Sequence, residues 1–209
     1  MAILLRFSGN ENITFASTIN IPANNSDSFA YVFDINYNGN ADQVMFANPN
    51  SFNDRFIIES PTSILFRAGS SNTTFTLLTP LATGRQILKL KKNGFNVAAY
   101  DANNNALSAV QSRAMSNTIY GFGEDNQGNN FSGDFYSAKI YSDFDETTLV
   151  HNFDANTSNG TGTTLDNLAS PANPGALNSF TGATNSWWIP TDVGGFIAAW
   201  ARGSNAALQ

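Results

Sequence analysis

The stretch "SFAYVFDINYN", residues 28–38, decides the fold class of the chain. Large apolar side chains alternate in it with small or polar ones, so that one face carries Phe29, Tyr31, Phe33, Ile35 and Tyr37. A period of two residues is the pattern of a β-strand with one buried face. The stretch therefore predicts a long strand that covers a hydrophobic core on one side.

Shorter runs of the same kind follow along the chain, separated by Asn, Gly, Pro and Ser. They include QVMFAN, RFIIES, SILFRAG, TFTLLT, RQILKLKK, FNVAAYD, NTIYGFG, DFYSAKIYS and LVHNFD. Many short strands at spacings of roughly ten residues favour an all-β sandwich or barrel. Helix patterns are nearly absent; the best candidate, residues 106–115, suits a strand plus a loop equally well.

One hairpin is predicted directly from a dipeptide. In "ILKLKKNGFNVAAY", Asn93-Gly94 separates two alternating runs. Asn-Gly is the preferred pair for the two positive-φ positions of a type I′ turn. We therefore expect a two-residue hairpin loop at Asn93-Gly94.

The composition limits the kinds of partner. Charged residues make up 12% of the chain, about half the usual share. The net charge is −6 and only ten residues are Lys or Arg, so neither a nucleic acid nor an anionic membrane is an expected partner. A neutral surface rich in Asn, Ser and Thr suits uncharged, hydrogen-bonding partners.

Other whole-chain features bound the class of protein. There is no cysteine, which excludes disulfides and thiolate metal sites. The N-terminus "MAILLRFSGN" has no basic segment or cleavage site of a signal peptide and reads as a first strand. No stretch approaches the length of a transmembrane helix. We expect a protein made in a cytoplasm without a signal peptide or transmembrane segment.

The segment from 155 to 184 is rich in Gly, Pro and Asn, a composition typical of linkers. It nevertheless carries interspersed large apolar residues, which predict that it is tied to the domain: Leu165, Leu168, Leu177 and Phe180. We therefore expect one domain over residues 1–190, followed by an apolar tail over 191–209.

Several segments together resemble the laminin-G-like, concanavalin-A-like jelly-roll family, in the version common in bacterial and phage proteins. They are "LRFSGNENI", "SFAYVFDIN", "RQILKLKKNGFNVAAYDANNN", "YGFGEDNQGNNFSGDFYSAKIYS", "LVHNFDANTSNGTGTTLDNLA" and "GALNSFTGATNSWW". The resemblance covers about residues 3 to 189 and implies an antiparallel two-sheet jelly-roll sandwich. The family includes lectins, glycan hydrolases, adhesion modules and virion surface proteins, so the fold does not decide the function.

Glycan hydrolysis is not expected. Glucanases of this fold carry their carboxylates on one strand as Glu-x-Asp-x-Glu, and no segment matches that pattern. The nearest acidic groups are Glu124-Asp125 and the run Asp143 to Glu146, whose spacing differs and which fall in predicted loops. The chain is predicted to be non-catalytic.

A calcium site is a weaker hypothesis. "DANNNALSAVQS" places Asp101, Asn103 and Asn105 at alternate positions, as a calcium loop does. Ala106 then stands where a glycine is needed, and Ser112 where a bidentate glutamate closes the loop, so an Asn-rich turn is the favoured interpretation. A site assembled from distant loops stays open, with these weak candidates: Asp101, Asp125 and Asp154.

The single histidine, His151, shares a predicted strand face with Leu149 and Phe153, which favours a structural role. Sugar rings stack on exposed aromatic rings, so Trp187 and Trp188 are candidates for binding a glycan or a partner. The loop residues Asp101, Asn103 and Asn105 are candidates for the same role. Adjacent residues of a strand point to opposite faces, and we expect one of the two tryptophans to face solvent.

The chain ends on "NSWWIPTDVGGFIAAW" and nine further residues. Pro190 stops the last strand, and the glycines that follow separate Phe196, Ile197 and Trp200 from it. These three apolar residues would form an unusual patch on so polar a protein. They are predicted to be covered by a neighbouring subunit or by the domain itself.

The leading functional hypothesis is a non-catalytic protein of a bacteriophage virion surface, in the capsid or tail, which assembles with itself or with other virion proteins and binds host glycans. The alternative is a free carbohydrate-binding module or lectin. A glycan hydrolase ranks third.

Overall fold

The computed structural model describes residues 3–21, 27–48, 51–68, 71–113, 117–125, 127–156, 162–180 and 187–190. Within these ranges the secondary structure is entirely β, which confirms the predicted fold class. No helix among these residues is long and apolar enough to cross a membrane. The strands are β1 Ile3–Ser8, β2 Asn12–Ile21, β3 Phe29–Tyr37, β4 Gln43–Asn48, β5 Ser51–Ser60, β6 Ser63–Ala68, β7 Ser71–Thr76, β8 Gly84–Asn93, β9 Asn96–Tyr100, β10 Gln111–Ser112, β11 Asn117–Phe122, β12 Ser132–Tyr141, β13 Leu149–Asp154, β14 Thr164–Leu165, β15 Gly175–Asn178 and β16 Trp188–Pro190.

The strands form two antiparallel sheets in a sandwich, as a jelly roll requires. The first sheet has the order β10-β9-β8-β3-β12-β1-β16, and β13 also pairs with β12. The second sheet has the order β14-β15-β2-β11-β4-β5-β6-β7. Strand β12 pairs with β3 along one edge, and β1 and β13 share its other edge.

The inner face of β3 lies in the core, as the sequence predicts. All five large side chains of that face are at most 2% exposed. Phenylalanine rings of the second sheet pack against them: the ring centroids of Phe33 and Phe46 lie 4.7 Å apart, and those of Phe33 and Phe56 lie 5.3 Å apart. Such pairs contribute about 0.5–1.5 kcal/mol each beyond the area they bury.

The start of β12, preceded by Phe131, requires a glycine at position 133. Phe131 is fully buried. Gly133 has φ +141°, and a Cβ atom there would lie 2.4 Å from the main-chain oxygen of Asn36 on β3. Only glycine allows β12 and β3 to approach so closely at this point.

The Gly- and Pro-rich segment is part of the sandwich where it is described. It supplies β14 and β15 to the edge of the second sheet. Leu165 and Leu177 are buried and Phe180 packs against the core, as predicted. Leu168 is 46% exposed, and it is tied to the domain through its main-chain nitrogen, which donates to the Asn152 oxygen.

The first and last described strands lie side by side. Strand β16 pairs with β1, with Ile3 opposite Pro190 and Leu5 opposite Trp188. Residues 188–190 are therefore part of the first sheet. The tail residues Phe196, Ile197 and Trp200 lie outside the described residues.

The hairpin between β8 and β9 is present, but its turn is shifted by one residue from the prediction. Asn93 pairs with Asn96, so the two central residues are Gly94 and Phe95 rather than Asn93 and Gly94. Gly94 has φ +59°, whereas Phe95 is not among the residues with positive φ. Glycine at the first central position alone is the requirement of a type II′ turn, not of type I′.

Replacing Gly94 with Ala is expected to lower the free energy of unfolding by about 1–2 kcal/mol, because a residue with a side chain would have to adopt a positive φ there. Asn93→Ala should cost less than about 0.5 kcal/mol, since Asn93 ends a strand and is exposed. Urea denaturation of both variants measures the difference. A larger effect at Asn93 would favour the turn predicted from the sequence.

Candidate functional site

The two adjacent tryptophans do not form a binding surface. Trp187 and Trp188 are 8% and 5% exposed, and both belong to the hydrophobic core. Trp187 precedes β16 in a turn, so strand alternation does not separate the two rings. The Nε1 atom of Trp188 donates to the Gly162 oxygen over 3.1 Å. The prediction that one of them faces solvent is wrong.

The loop that resembled a calcium site is closed by its own hydrogen bonds. The Oδ1 atom of Asp101 accepts from the main-chain nitrogens of Asn103 and Asn105, both at 2.8 Å. Its Oδ2 atom accepts from the side-chain amide of Asn105, also at 2.8 Å. These hydrogen bonds, that from the Asn105 side chain foremost, lower the pKa of Asp101. Both carboxylate oxygens of Asp101 thus accept hydrogen bonds from the loop itself, and these are the oxygens that would bind a cation.

A second loop repeats this pattern. Asp125 Oδ1 accepts from the main-chain nitrogens of Gln127 and Asn129, and Oδ2 accepts from the Asn129 side chain. Here the carboxylate is buried and also forms a 2.7 Å ion pair with Arg55. Asn103 and Asn105 thus donate to Asp101 in the same way as Gln127 and Asn129 donate to Asp125. We call these two segments the Asp-clamped loops, residues 101–105 and residues 125 and 127–129.

The weak calcium candidates are not brought together. The third of them, Asp154, accepts from the main-chain nitrogen of Asn156. Across the ranges that the structure describes, no three acidic or histidine side chains are arranged to hold a metal ion. Asp101, Asp125 and Asp154 each stabilise a separate segment of backbone.

The acidic run 143–146 is also engaged in contacts within the domain. Asp143 accepts from the main-chain nitrogens of Thr147 and Thr148, and these hydrogen bonds lower its pKa to about 2. Glu146 accepts from Lys89 and Lys91. Neither carboxylate lies in a described cavity.

The largest described cavity opens between the sheets at one end of the sandwich. It has a volume of about 590 Å³. Three of its side chains, Ile19, Phe29 and Ile140, belong to the core, and its polar groups include Asp27 and His151. The lining is completed by Thr18, Asn20, Ser28, Tyr141, Ser142 and Val150. We call it the end cavity.

The hydrogen bond from Asn167 determines which ring nitrogen of His151 carries the hydrogen. The Asn167 amide nitrogen donates to Nδ1 of His151 over 2.9 Å and also donates to the Asn173 oxygen. The Asn167 amide cannot be turned over, because its oxygen accepts from the main-chain nitrogens of Asn152 and Ser170. Nδ1 is therefore an acceptor, and the hydrogen of the neutral ring is on Nε2. Burial lowers the pKa of His151.

A second concave region lies on the outer face of the second sheet. It has a volume of about 290 Å³ and crosses β15, β2 and β11. Because Ile13, Leu177 and Ile119 point into the core, strand alternation places Asn12, Thr14, Asn178 and Tyr120 on the outside. Glu124 lies at its end. We call this region the sheet trough.

A chain of hydrogen bonds fixes the polar groups of the sheet trough. The Asn178 amide donates to the Asn12 Oδ1 atom over 2.9 Å and to the Thr14 hydroxyl over 2.8 Å. The Asn12 amide in turn donates to Glu124. These bonds use the amide hydrogens and orient the carbonyl and carboxylate oxygens. The half-buried ring of Tyr120 lies beside them.

The trough residues have no distinguishing pattern in the sequence. Asn12, Thr14 and Asn178 resemble the many other Asn and Thr residues of the chain, and they meet only because β15 and β11 both pair with β2. In "NTIYGFG", strand alternation predicts that the side chains of Ile119 and Tyr120 point to opposite faces of the sheet. This alternation is the one feature of the sequence that indicates an outward-facing ring at Tyr120.

Comparison with protein-family models and with curated proteins finds no match to this chain. The resemblance to laminin-G-like jelly rolls therefore remains a prediction from the segments quoted above.

The stability of the protein is expected to fall as the pH drops below about 6.5, the usual pKa of histidine. The folded state keeps His151 neutral, whereas the unfolded chain binds a proton there, so acid favours unfolding. Thermal unfolding across this range measures the effect. Because His151 is the only histidine, His151→Gln should flatten the dependence. An unchanged pH dependence in that variant would contradict the assignment.

Proposed function

We propose that the protein is a non-catalytic, glycan-binding jelly-roll protein of a bacteriophage virion surface, and that the sheet trough holds the sugar. The observation that carries the proposal is the position of Tyr120 beside oriented oxygens of Asn12, Asn178 and Glu124. The flat apolar face of a tyrosine suits the C–H face of a sugar ring. The oriented oxygens suit its hydroxyl groups.

The charges of the domain support an uncharged ligand. Arg6 and Arg85 each form two hydrogen bonds to one aspartate, Asp134 and Asp34 respectively. Within the described residues, at least five of the ten Lys and Arg side chains are in ion pairs. Pairing inside the domain leaves little net field to attract a phosphate or a sulfate.

Binding of neutral oligosaccharides tests the proposal. A glycan array followed by titration calorimetry should find a ligand, and Tyr120→Ala should weaken it by about tenfold, equivalent to about 1.4 kcal/mol. The matched control is His151→Ala, which alters the end cavity and not the trough.

The two variants also separate the two concave regions. Weakening by His151→Ala alone would place the ligand in the end cavity. Binding that neither variant changes, or no binding to any glycan, would contradict the proposed site.

The tail is the proposed assembly segment of the virion protein. The last described strand lies at the edge of the first sheet, and both tryptophans before the tail are buried in the domain. We propose that Phe196, Ile197 and Trp200, three large apolar residues of an otherwise polar chain, contact a neighbouring subunit.

Deleting residues 191–209 is expected to convert an oligomer into a monomer while leaving the sandwich folded. Light scattering measures the mass, and circular dichroism verifies the fold. The triple variant Phe196→Ser, Ile197→Ser and Trp200→Ser keeps the length of the chain and should also yield a monomer. A full-length protein that is already monomeric, or an oligomer that survives the deletion, would refute the role of the tail.

A further inference from the structure

Two lysines on the outer face of the first sheet converge on one amide and one carboxylate. Lys89 and Lys91 of β8 are 5% and 3% exposed. Their Nζ atoms lie 3.0 and 3.2 Å from Oδ1 of Asn104. The same nitrogens lie 2.9 and 3.0 Å from Oε1 of Glu146. Four reactive side chains thus meet at hydrogen-bond distance.

Hydrogen bonds within their own loops hold the amide of Asn104 and the carboxylate of Glu146 in place. Asn104 belongs to the first Asp-clamped loop and has φ +63°. Its main-chain nitrogen donates to the main-chain oxygen of Asp101. Glu146 also has φ +63° and follows Asp143, which binds the backbone of its loop. Both residues adopt a conformation that side chains rarely take, so the surrounding contacts must hold them there.

Aromatic rings lie over the amine of Lys91. The Nζ atom of Lys91 lies 4.3 Å from the ring centre of Phe144 and 5.6 Å from that of Tyr100. These two rings contact each other edge to face at 5.9 Å. The rings limit the access of water to Lys91, and Lys89 is itself only 5% exposed, whereas Asn104 is exposed on the outer side.

We propose that Lys89 and Asn104 form an intramolecular isopeptide bond. The Lys89 ammonium gives a proton to Glu146, and the free amine attacks Cγ of Asn104. The bond from Cγ to Nδ2 then breaks, Glu146 returns the proton to the departing nitrogen, and the released ammonia takes up the second proton of the amine. The products are one secondary amide and one ammonium ion, so atoms and charge balance.

Each neighbour has a role in this step. The attack places negative charge on Oδ1 of Asn104, and the Lys91 ammonium already donates to that atom. A fixed donor at a developing oxyanion stabilises the transition state. Glu146 reaches the nucleophile with both oxygens, at 2.9 and 3.0 Å. The exposed side of Asn104 gives ammonia a path to solvent.

This cross-link is independent of the proposed glycan site, and intact-mass measurement of the full chain tests it. After incubation in mildly alkaline buffer, the folded protein should be lighter than its sequence by one ammonia. Trypsin cannot cleave at a modified Lys89, so the digest should contain residues 86–91 joined to residues 93–113. A linkage through Lys91 would instead join residues 90–92 and would contradict the assignment to Lys89.

Two variants separate the cross-link from other losses of ammonia. Glu146→Gln should restore the full sequence mass, with circular dichroism showing that it folds. Asp145→Asn, at the exposed neighbouring position, should still form the branched peptide. The proposal is overturned by a folded protein of full mass. It is equally overturned by ammonia loss confined to a linear 93–113 peptide, as from succinimide formation at Asn93-Gly94, or by a branched peptide that Glu146→Gln does not change.

Discussion

The contact between the phenylalanine-rich inner faces of the two sheets is the constraint on which the rest of the structure depends. Phe33, at the middle of β3, packs against Phe46 and Phe56 of the opposite sheet. With no cysteine in the chain, and with few charges, the domain is held together by this packing. The positions of β8 and β12 follow from it, because β8 pairs with residues 29–37 of β3 and β12 with residues 30–37.

The fold could be predicted from the sequence because alternation is a local property of each strand. The strand at 29–37 and the burial of Leu165 and Leu177 all follow from side chains that must leave water. The errors arose where the position of a residue depends on pairing. Asn93 precedes the turn because it pairs with Asn96, and Trp187 lies before its strand and enters the core.

The candidate site could not be predicted in the same way. The sheet trough joins residues more than 160 positions apart, such as Asn12 and Asn178. The acidic residues that stand out in the sequence stabilise loops. Asp101, Asp125 and Asp143 each accept hydrogen bonds from main-chain nitrogens. An Asp followed four residues later by Asn is therefore ambiguous in sequence, because a closed turn and half of a cation site use the same oxygens.

The pairing of β1 with β16 has a mechanical consequence. Ile3 and Pro190 are opposite each other, so the first and last residues of the described sandwich lie side by side. A force that pulls these two points apart opens the pairs between the strands one after another, as a zipper does. Three pairs connect the two strands among the described residues, and the last of them sets Leu5 opposite Trp188. Under tension, separating this last pair would pull the buried Trp188 out of the core, so this pair resists opening the most.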